Sequence, residues 1–250
     1  MKIIILFISL LIVNVNAIYS NLTCEDHFDV SHCNECQQEV WNFRSNALGC
    51  GFFGNLYAEV EHTLSFFINY NLTSYNEVIK NVCSADFSCG YEDVKKKLQN
   101  VEEKCSNELS TFIDWSANPL VLDHNVVSAY ATIILYYFAV PEHNSICHKA
   151  SSGELCGVES IKPLVEWLRQ EIPEGKVHFS YDYSYVFKDD ETRIEIPLNL
   201  VTNCGECGKN MIKEYKAWTE KFAIPDVILN NVFRNSLEGL LEYYSCPLIL

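Results

Sequence analysis

Basic residues are scarce in this chain of 250 residues. Lys and Arg together number 18 against 33 Asp and Glu, so the formal net charge is −15. A surface this negative repels phosphate groups, which excludes nucleic acid and anionic membranes as natural partners. Charged residues make up only 20% of the chain while apolar residues make up 48%. That balance excludes a disordered chain and leaves room for one large domain or two modest lobes.

Long apolar runs are also missing beyond the amino terminus. The best candidate, residues 126–140, contains Ser128 and Thr132 and stops at Pro141. A bilayer crossing needs about 20 apolar residues, so we interpret this run as a buried core helix. The sequence therefore predicts no stable membrane span.

The amino terminus has the composition of a secretory signal peptide. Lys2 precedes an apolar stretch, and the small residues Val15 and Ala17 come just before the expected cleavage point. We predict a signal peptide over residues 1–17 and a secreted, extracellular mature protein over residues 18–250. Two N-x-T acceptors for glycosylation, at Asn21 and Asn71, agree with export.

Catalytic signatures are absent from the sequence. No G-x-S-x-G, H-E-x-x-H or P-loop motif occurs. A G-x-G-x-x-G match over residues 49–54 follows a helical pattern instead of a strand, so we interpret it as chance. A cluster of four side chains could ligate zinc in principle, but we expect its cysteine to be in a disulfide, and an oxidised cysteine is not a ligand. Its members are Glu142, His143, Cys147 and His148. We expect no cofactor, no bound metal and no enzymatic activity.

Cysteine is the residue type on which the sequence depends most. All twelve cysteines lie in the mature region, and an even number in an oxidising compartment implies up to six disulfides. Seven precede residue 110 and five follow it, so complete pairing requires at least one bridge between the halves. Spacing does not fix the connectivity. The twelve are Cys24, Cys33, Cys36, Cys50, Cys83, Cys89, Cys105, Cys147, Cys156, Cys204, Cys207 and Cys246.

Apolar residues recur at steps of three and four in several segments, which predicts amphipathic helices. Ser31 is the candidate cap of the first helix, and Asn203 with Glu206 forms a candidate capping box for a later one. The pattern of Val94, Leu98 and Val101 predicts that Cys105 is buried. The first predicted helix begins near Cys33, and the others cover residues 55–70, 94–105, 161–168, 207–222 and 226–244.

A period of two replaces the helical pattern later in the chain. Residues 177–187 alternate between aromatic and mostly polar side chains, residues 188–191 form a polar turn, and apolar residues alternate again from Ile194 to Leu200. This predicts a small β-hairpin over residues 177–200. The aromatic stripe from Phe179 to Phe187 could bind sugars or lipid, but we expect it to pack on the helices.

The fold class is therefore mainly α, with a disulfide-rich helical chain arranged as two linked lobes and a small β-hairpin. The predicted lobes are residues 18–115 and residues 116–250, which include the hairpin.

Two cysteine patterns suggest activities other than partner binding. Cys204-x-x-Cys207 opens a predicted helix, where a dipole stabilises thiolate, so a secreted thiol-disulfide oxidoreductase with Cys204 as the attacking sulfur is one alternative. No βαβ alternation surrounds the motif, which favours structural bridging. Cys33-x-x-Cys36 with Cys83 and Cys89 is similar to the ends of a saposin-like module, so a lipid-binding protein is the other.

Three segments carry a resemblance to a known group. They are DFSCGYEDVKKKLQNVEEKC, SICHKASSGELC and TNCGECGKNMIKEY. Their cysteine order resembles that of uncharacterised secreted cysteine-rich proteins of fungi over about residues 83–215. The resemblance implies an extracellular, non-enzymatic role at a cell or host interface. We therefore predict a secreted, acidic, disulfide-stabilised protein that acts by binding. Its partner would be a protein or an extracellular-surface ligand.

Overall fold

The computed structural model describes residues 23–45, 70–84, 87–114, 122–173, 178–179, 185–188, 192–201 and 205–231. Within these ranges the chain is mainly helical with a small antiparallel sheet, which confirms the predicted fold class. Several predictions lie outside the described residues, namely the signal peptide, Asn21, the glycine-rich stretch 49–54, the helix over 55–69, Cys50, Cys204, Cys246 and the helix beyond Asn231.

The described ranges contain helices and three short strands. In chain order they are α1 (Cys24–Phe28), α2 (Glu35–Ser45), α3 (Leu72–Ser84), α4 (Tyr91–Lys104), α5 (Ser106–Leu109), α6 (His124–Ile146), α7 (Cys156–Glu159), α8 (Lys162–Glu171), β1 (His178–Phe179), β2 (Tyr185–Phe187), β3 (Arg193–Glu195), α9 (Leu198–Val201), α10 (Glu206–Lys221) and α11 (Asp226–Asn231).

Helix α6 lies at the centre of the fold. Its residues from Val126 to Ala139 are all buried, because α2, α3, α4, α5, α7, α10 and α11 pack around it. A helix that is apolar on every side needs such surroundings. Within the described ranges, no helix has both the length and the apolar character that a bilayer crossing requires.

The prediction that this helix stops at Pro141 is wrong, because α6 continues to Ile146. Proline removes one backbone donor, yet tertiary contacts hold the final turn in place. Glu142 and Ser145 are both buried, and the Ser145 hydroxyl donates to the Pro141 carbonyl at 2.6 Å.

One contiguous core joins the two halves of the chain. The buried apolar cluster contains residues of α2 and α4 together with residues of α6, α8 and α10. The Cys83–Cys147 disulfide links α3 to the end of α6, and this is a bridge between the halves of the kind that the cysteine parity requires. The lobe boundary near residue 115 stays a prediction.

The sheet differs in detail from the predicted hairpin. Residues 177–187 do not form one strand, because His178 pairs with Phe187 across antiparallel strands β1 and β2. The alternation of apolar and polar residues is the same on both sides of a point where the chain reverses direction. The sequence pattern therefore could not show that β1 and β2 are two separate strands. Strand β3 ends at Glu195, and Pro197 precedes a helical turn, α9, where the sequence predicts strand.

The sheet also packs differently from the predicted aromatic stripe. Val186 is fully buried in the core and Phe187 is nearly so. Tyr185 is only half-buried, and the Arg193 guanidinium carbon lies 4.3 Å from its ring centroid. Part of the predicted stripe therefore takes a cation at the surface instead of packing on helices.

Two predicted helix caps are replaced by neighbouring residues. Asn34 caps α2, because its side-chain oxygen accepts from the Gln37 amide at 2.8 Å while the Gln37 side chain accepts from the Asn34 amide. This is a reciprocal capping geometry, and Asn34 takes the place at which Ser31 was expected to cap the helix. The residue before α10 is Gly205, so Asn203 is not its cap.

Three buried tyrosines close the carboxyl ends of three helices. Tyr70 donates to the Ile172 carbonyl after α8 at 2.8 Å, and Tyr137 donates to the Phe222 carbonyl after α10 at 2.5 Å. Tyr130 donates to the carbonyl at the end of α5. The last carbonyls of a helix lack intrahelical partners, so each phenol supplies a donor to one of them. The carbonyl at the end of α5, that of Leu109, also accepts from the Asn231 side-chain amide at 3.0 Å.

Three buried tyrosines, Tyr75, Tyr136 and Tyr137, lead us to predict a loss of stability at alkaline pH. Burial raises the pKa of Tyr137 above its ordinary value, and it raises the pKa of Tyr75 and Tyr136 with added contributions from Glu142 and Glu39. The folded chain therefore keeps protons that the unfolded chain releases above about pH 10. Stability should be unaffected by these groups below that pH and fall by about 1.4 kcal/mol per pH unit for each such tyrosine above it.

Urea unfolding at a series of pH values, with an alkylating agent present to block disulfide exchange, measures this slope. Tyr137→Phe should reduce the slope of the unfolding free energy against pH by the contribution of one proton, about 1.4 kcal/mol per pH unit. A midpoint that stays constant while phenolate absorbance rises would contradict the prediction.

Candidate functional site

A short hairpin over residues 147–156 has an exposed tip and is held by hydrogen bonds and disulfides. Lys149 and Leu155 form an isolated antiparallel bridge, and the Cys156 amide donates to the His148 carbonyl at 2.8 Å. The turn is closed by the Gly153 amide, which donates to the Ala150 carbonyl at 2.8 Å. Gly153 has a φ of 84°, which L side chains rarely adopt.

Disulfides fasten both ends of this hairpin to different helices. Cys147 is bonded to Cys83 of α3, and Cys156 is bonded to Cys207 of α10. The first residue of α10, Glu206, accepts a hydrogen bond from the Ser151 amide at 2.8 Å. This amide is the main reason why the pKa of the Glu206 carboxyl lies below its ordinary value.

Side chains brace the tip from the other side. The Ser152 hydroxyl donates to Glu159 of α7 at 2.7 Å, and Lys162 of α8 donates to Glu154 at 2.5 Å. Ser151, Ser152 and Gly153 nevertheless stay exposed. The sequence predicts this tip as a loop, and the structure adds the side-chain contacts that hold it.

Gly157 lets the base of the hairpin lie against the core. A Cβ atom at this position would lie 3.0 Å from the Ile146 Cβ and 3.4 Å from a methyl carbon of Ile79. Real Cβ atoms essentially never come closer, so a side chain here would push α7 away from α6.

A groove of about 600 Å³ lies between the hairpin and α3. Helix α3 contributes Asn76, Lys80 and Ser84, the hairpin contributes Lys149 and residues 152–155, and the Cys83–Cys147 disulfide lies between them. This volume is within the range of about 300–1,000 Å³ found for small-molecule pockets. Hairpin and groove together form the candidate functional site, which we call the hairpin site.

None of the three described cysteines of the two C-x-x-C motifs is bonded to the other cysteine of its own motif. Cys33 is bonded to Cys24 and Cys36 is bonded to Cys105, while Cys207 is bonded to Cys156. Cys204 lies outside the described residues. Cys89 is disulfide-bonded as well, and no cysteine among the described residues is free.

The structure disperses the four residues of the candidate zinc cluster. Glu142 is buried and accepts from the Tyr215 hydroxyl, and His143 stacks on Phe87 with ring centroids 4.0 Å apart. Cys147 is bonded to Cys83 in a disulfide, and the His148 Nε2 atom lies 3.8 Å from the Glu206 Oε1 atom. The described residues contain no group of three side chains placed to hold a metal ion.

Sequence reasoning missed the cations and the acid of the hairpin site. Lys80 lies on α3 three residues before Cys83, and Lys149 lies two residues after Cys147. The spacing of three places Lys80 on the same side of α3 as Cys83, but only the Cys83–Cys147 pairing brings the two lysines to one groove. Glu206 was expected to cap its own helix and instead holds the hairpin.

Comparisons with protein-family models, with curated proteins and with solved structures find no match to this chain. The resemblance to fungal secreted proteins therefore stays a prediction.

Proposed function

We propose that the chain is a secreted, acidic, disulfide-stabilised binding protein that acts without catalysis at a cell or host interface and contacts its partner through the hairpin site. The observation that carries this proposal is the exposed tip of the 147–156 hairpin, which two disulfides and three side-chain contacts hold in place. A loop that is ordered before binding loses little conformational entropy when its partner arrives.

Two further observations support export. The disulfides fit an oxidising compartment. Asn71, the described glycosylation acceptor, is exposed just before α3, and its side-chain oxygen accepts from the Ser74 amide at 3.2 Å. That contact uses the oxygen and leaves the amide nitrogen, to which a glycan attaches, pointing away from the helix end.

Titration of the labelled mature protein onto intact cells and onto insoluble wall polysaccharide tests the proposal. We expect saturable binding that Ser151→Arg with Ser152→Arg weakens about tenfold or more, as expected for a central contact. The matched control is Ser110→Arg with Thr111→Arg, an exposed pair at the end of α5 that should bind like the parent protein. Thermal melting confirms that both variants are folded.

Three results would overturn the proposal. The first is the absence of saturable binding to any surface, and the second is equal binding by the hairpin and control variants. The third is an activity of another class: insulin reduction that a Cys204→Ser variant loses would indicate the oxidoreductase. Apolar molecules that co-purify in native mass spectrometry would instead indicate the saposin-like lipid-binding protein.

A further inference from the structure

The Cys83–Cys147 disulfide differs from the other described pairs in its accessibility. Both of its cysteines are half-buried and line the open groove of the hairpin site. The cysteines of the Cys36–Cys105 and Cys156–Cys207 pairs are at most 3% exposed, and in the Cys24–Cys33 pair Cys33 is half-buried but Cys24 is only 3% exposed. A thiol from solvent can therefore reach this pair more easily than the other three.

Two lysines, one on each wall of the groove, are close in sequence to these cysteines. Lys80 precedes Cys83 by three residues on α3, so both lie on the same face of the helix. Lys149 follows Cys147, the residue that caps the carboxyl end of α6, by two residues, and both line the groove. The groove is lined by both lysines and both cysteines.

The groove is positively charged although the chain is strongly acidic. Its acidic residue, Glu154, is paired with Lys162 at 2.5 Å, and neither Lys80 nor Lys149 forms an ion pair with another described residue. The remaining described lining residues are uncharged. A cation near a cysteine favours its thiolate, and it also attracts an anionic reagent.

We propose that the groove is a thiol–disulfide exchange site at which the Cys83–Cys147 disulfide reacts with a small thiol that carries a carboxylate or another anionic group. The thiolate of the reagent attacks one sulfur and forms a mixed disulfide, and the second cysteine leaves as a thiolate beside a lysine. A second reagent thiolate attacks the mixed disulfide, so the protein gains two thiols and the reagent becomes its own disulfide. This reaction goes beyond the proposed partner binding and does not depend on it.

The experiment follows the opening of each disulfide by quenching with acid, alkylating the new thiols and mapping peptides by mass spectrometry. Mercaptoethanesulfonate is the anionic reagent and cysteamine is the cationic one, with rates normalised to thiolate concentration. We expect Cys83–Cys147 to open first of the four described pairs with both reagents. The normalised rate of opening of Cys83–Cys147 should be higher with the anionic reagent than with the cationic one, since both lysines attract the anion.

The double variant Lys80→Gln with Lys149→Gln isolates the contribution of the two cations. Its ratio of anionic to cationic rate should fall about tenfold below that of the parent, because two neighbouring charges are removed. The ratio in the parent should also fall toward that of the variant at about 1 M salt, where screening extends to about 3 Å. Lys96→Gln, at an exposed position on α4, is the matched control and should leave the ratio unchanged.

The proposal is overturned if another of the four described pairs opens before Cys83–Cys147. It is equally overturned if the double variant and the Lys96→Gln control give the same ratio of rates. Because each comparison is made on folded protein within one preparation, a general loss of stability would accelerate both reagents and leave the ratio unchanged.

Discussion

Replacing Cys36 and Cys105 together by alanine is expected to lower the free energy of unfolding by about 4 kcal/mol. Their disulfide joins α2 to the residue between α4 and α5 across a sequence separation of 69 residues, and closing a loop of that length removes much entropy from the unfolded chain. Both cysteines are buried in the main core cluster, so the substitution also leaves a small void there. Equilibrium denaturation by guanidinium measures the change.

The matched control is the double replacement of Cys24 and Cys33, whose separation is only 9 residues. The same relation gives a cost of about 2.5 kcal/mol for so short a loop. Peptide mapping confirms that the remaining pairs are native in both variants. The interpretation fails if opening the short loop costs as much as opening the long one.

Tyr215→Phe is expected to cost about 3 kcal/mol, because the Tyr215 hydroxyl donates to a carboxylate inside the core. Glu142, the acceptor, is 2% exposed and lies on α6, while Tyr215 is also 2% exposed and lies on α10. Phenylalanine keeps the ring that packs at a centroid distance of 5.0 Å from Phe138. The hydroxyl is therefore the only group lost.

A double-mutant cycle separates this interaction from other effects. In a Glu142→Gln background the acceptor is neutral, so Tyr215→Phe should cost about 1 kcal/mol and the coupling should be about 2 kcal/mol. Tyr91→Phe, at a half-buried tyrosine on α4, should change stability by less than about 0.5 kcal/mol. Equal costs of Tyr215→Phe in the two backgrounds would show that the buried charge has no part in the effect.

Local periodicity was sufficient to predict the helices whose burial is one-sided. Val94, Leu98 and Val101 predict one face of α4, and all three are buried in the structure together with Cys105. The same reasoning failed where tertiary packing decides the outcome. Pro141 marks the end of a helix by local rules, yet the buried contacts of Glu142 and Ser145 carry α6 one turn further.

The hairpin site could be predicted only in part. Ser151, Ser152 and Gly153 indicate a turn from their residue types alone. What makes the turn rigid is remote in sequence, since Cys83 lies 64 residues from Cys147 and Cys207 lies 51 residues from Cys156. Parity requires a bridge between the halves, but nothing in the spacing says which cysteines make it.

The tyrosines that close helix ends fix how long those helices can be. The Tyr70 hydroxyl meets the last carbonyls of α8, and the Tyr137 hydroxyl meets the carbonyl after α10. One residue added to either helix would rotate its final carbonyl by about 100° and advance it by about 1.5 Å, away from the phenol. Insertions and deletions should therefore accumulate in the connecting segments during divergence, while the lengths of α8 and α10 stay constant.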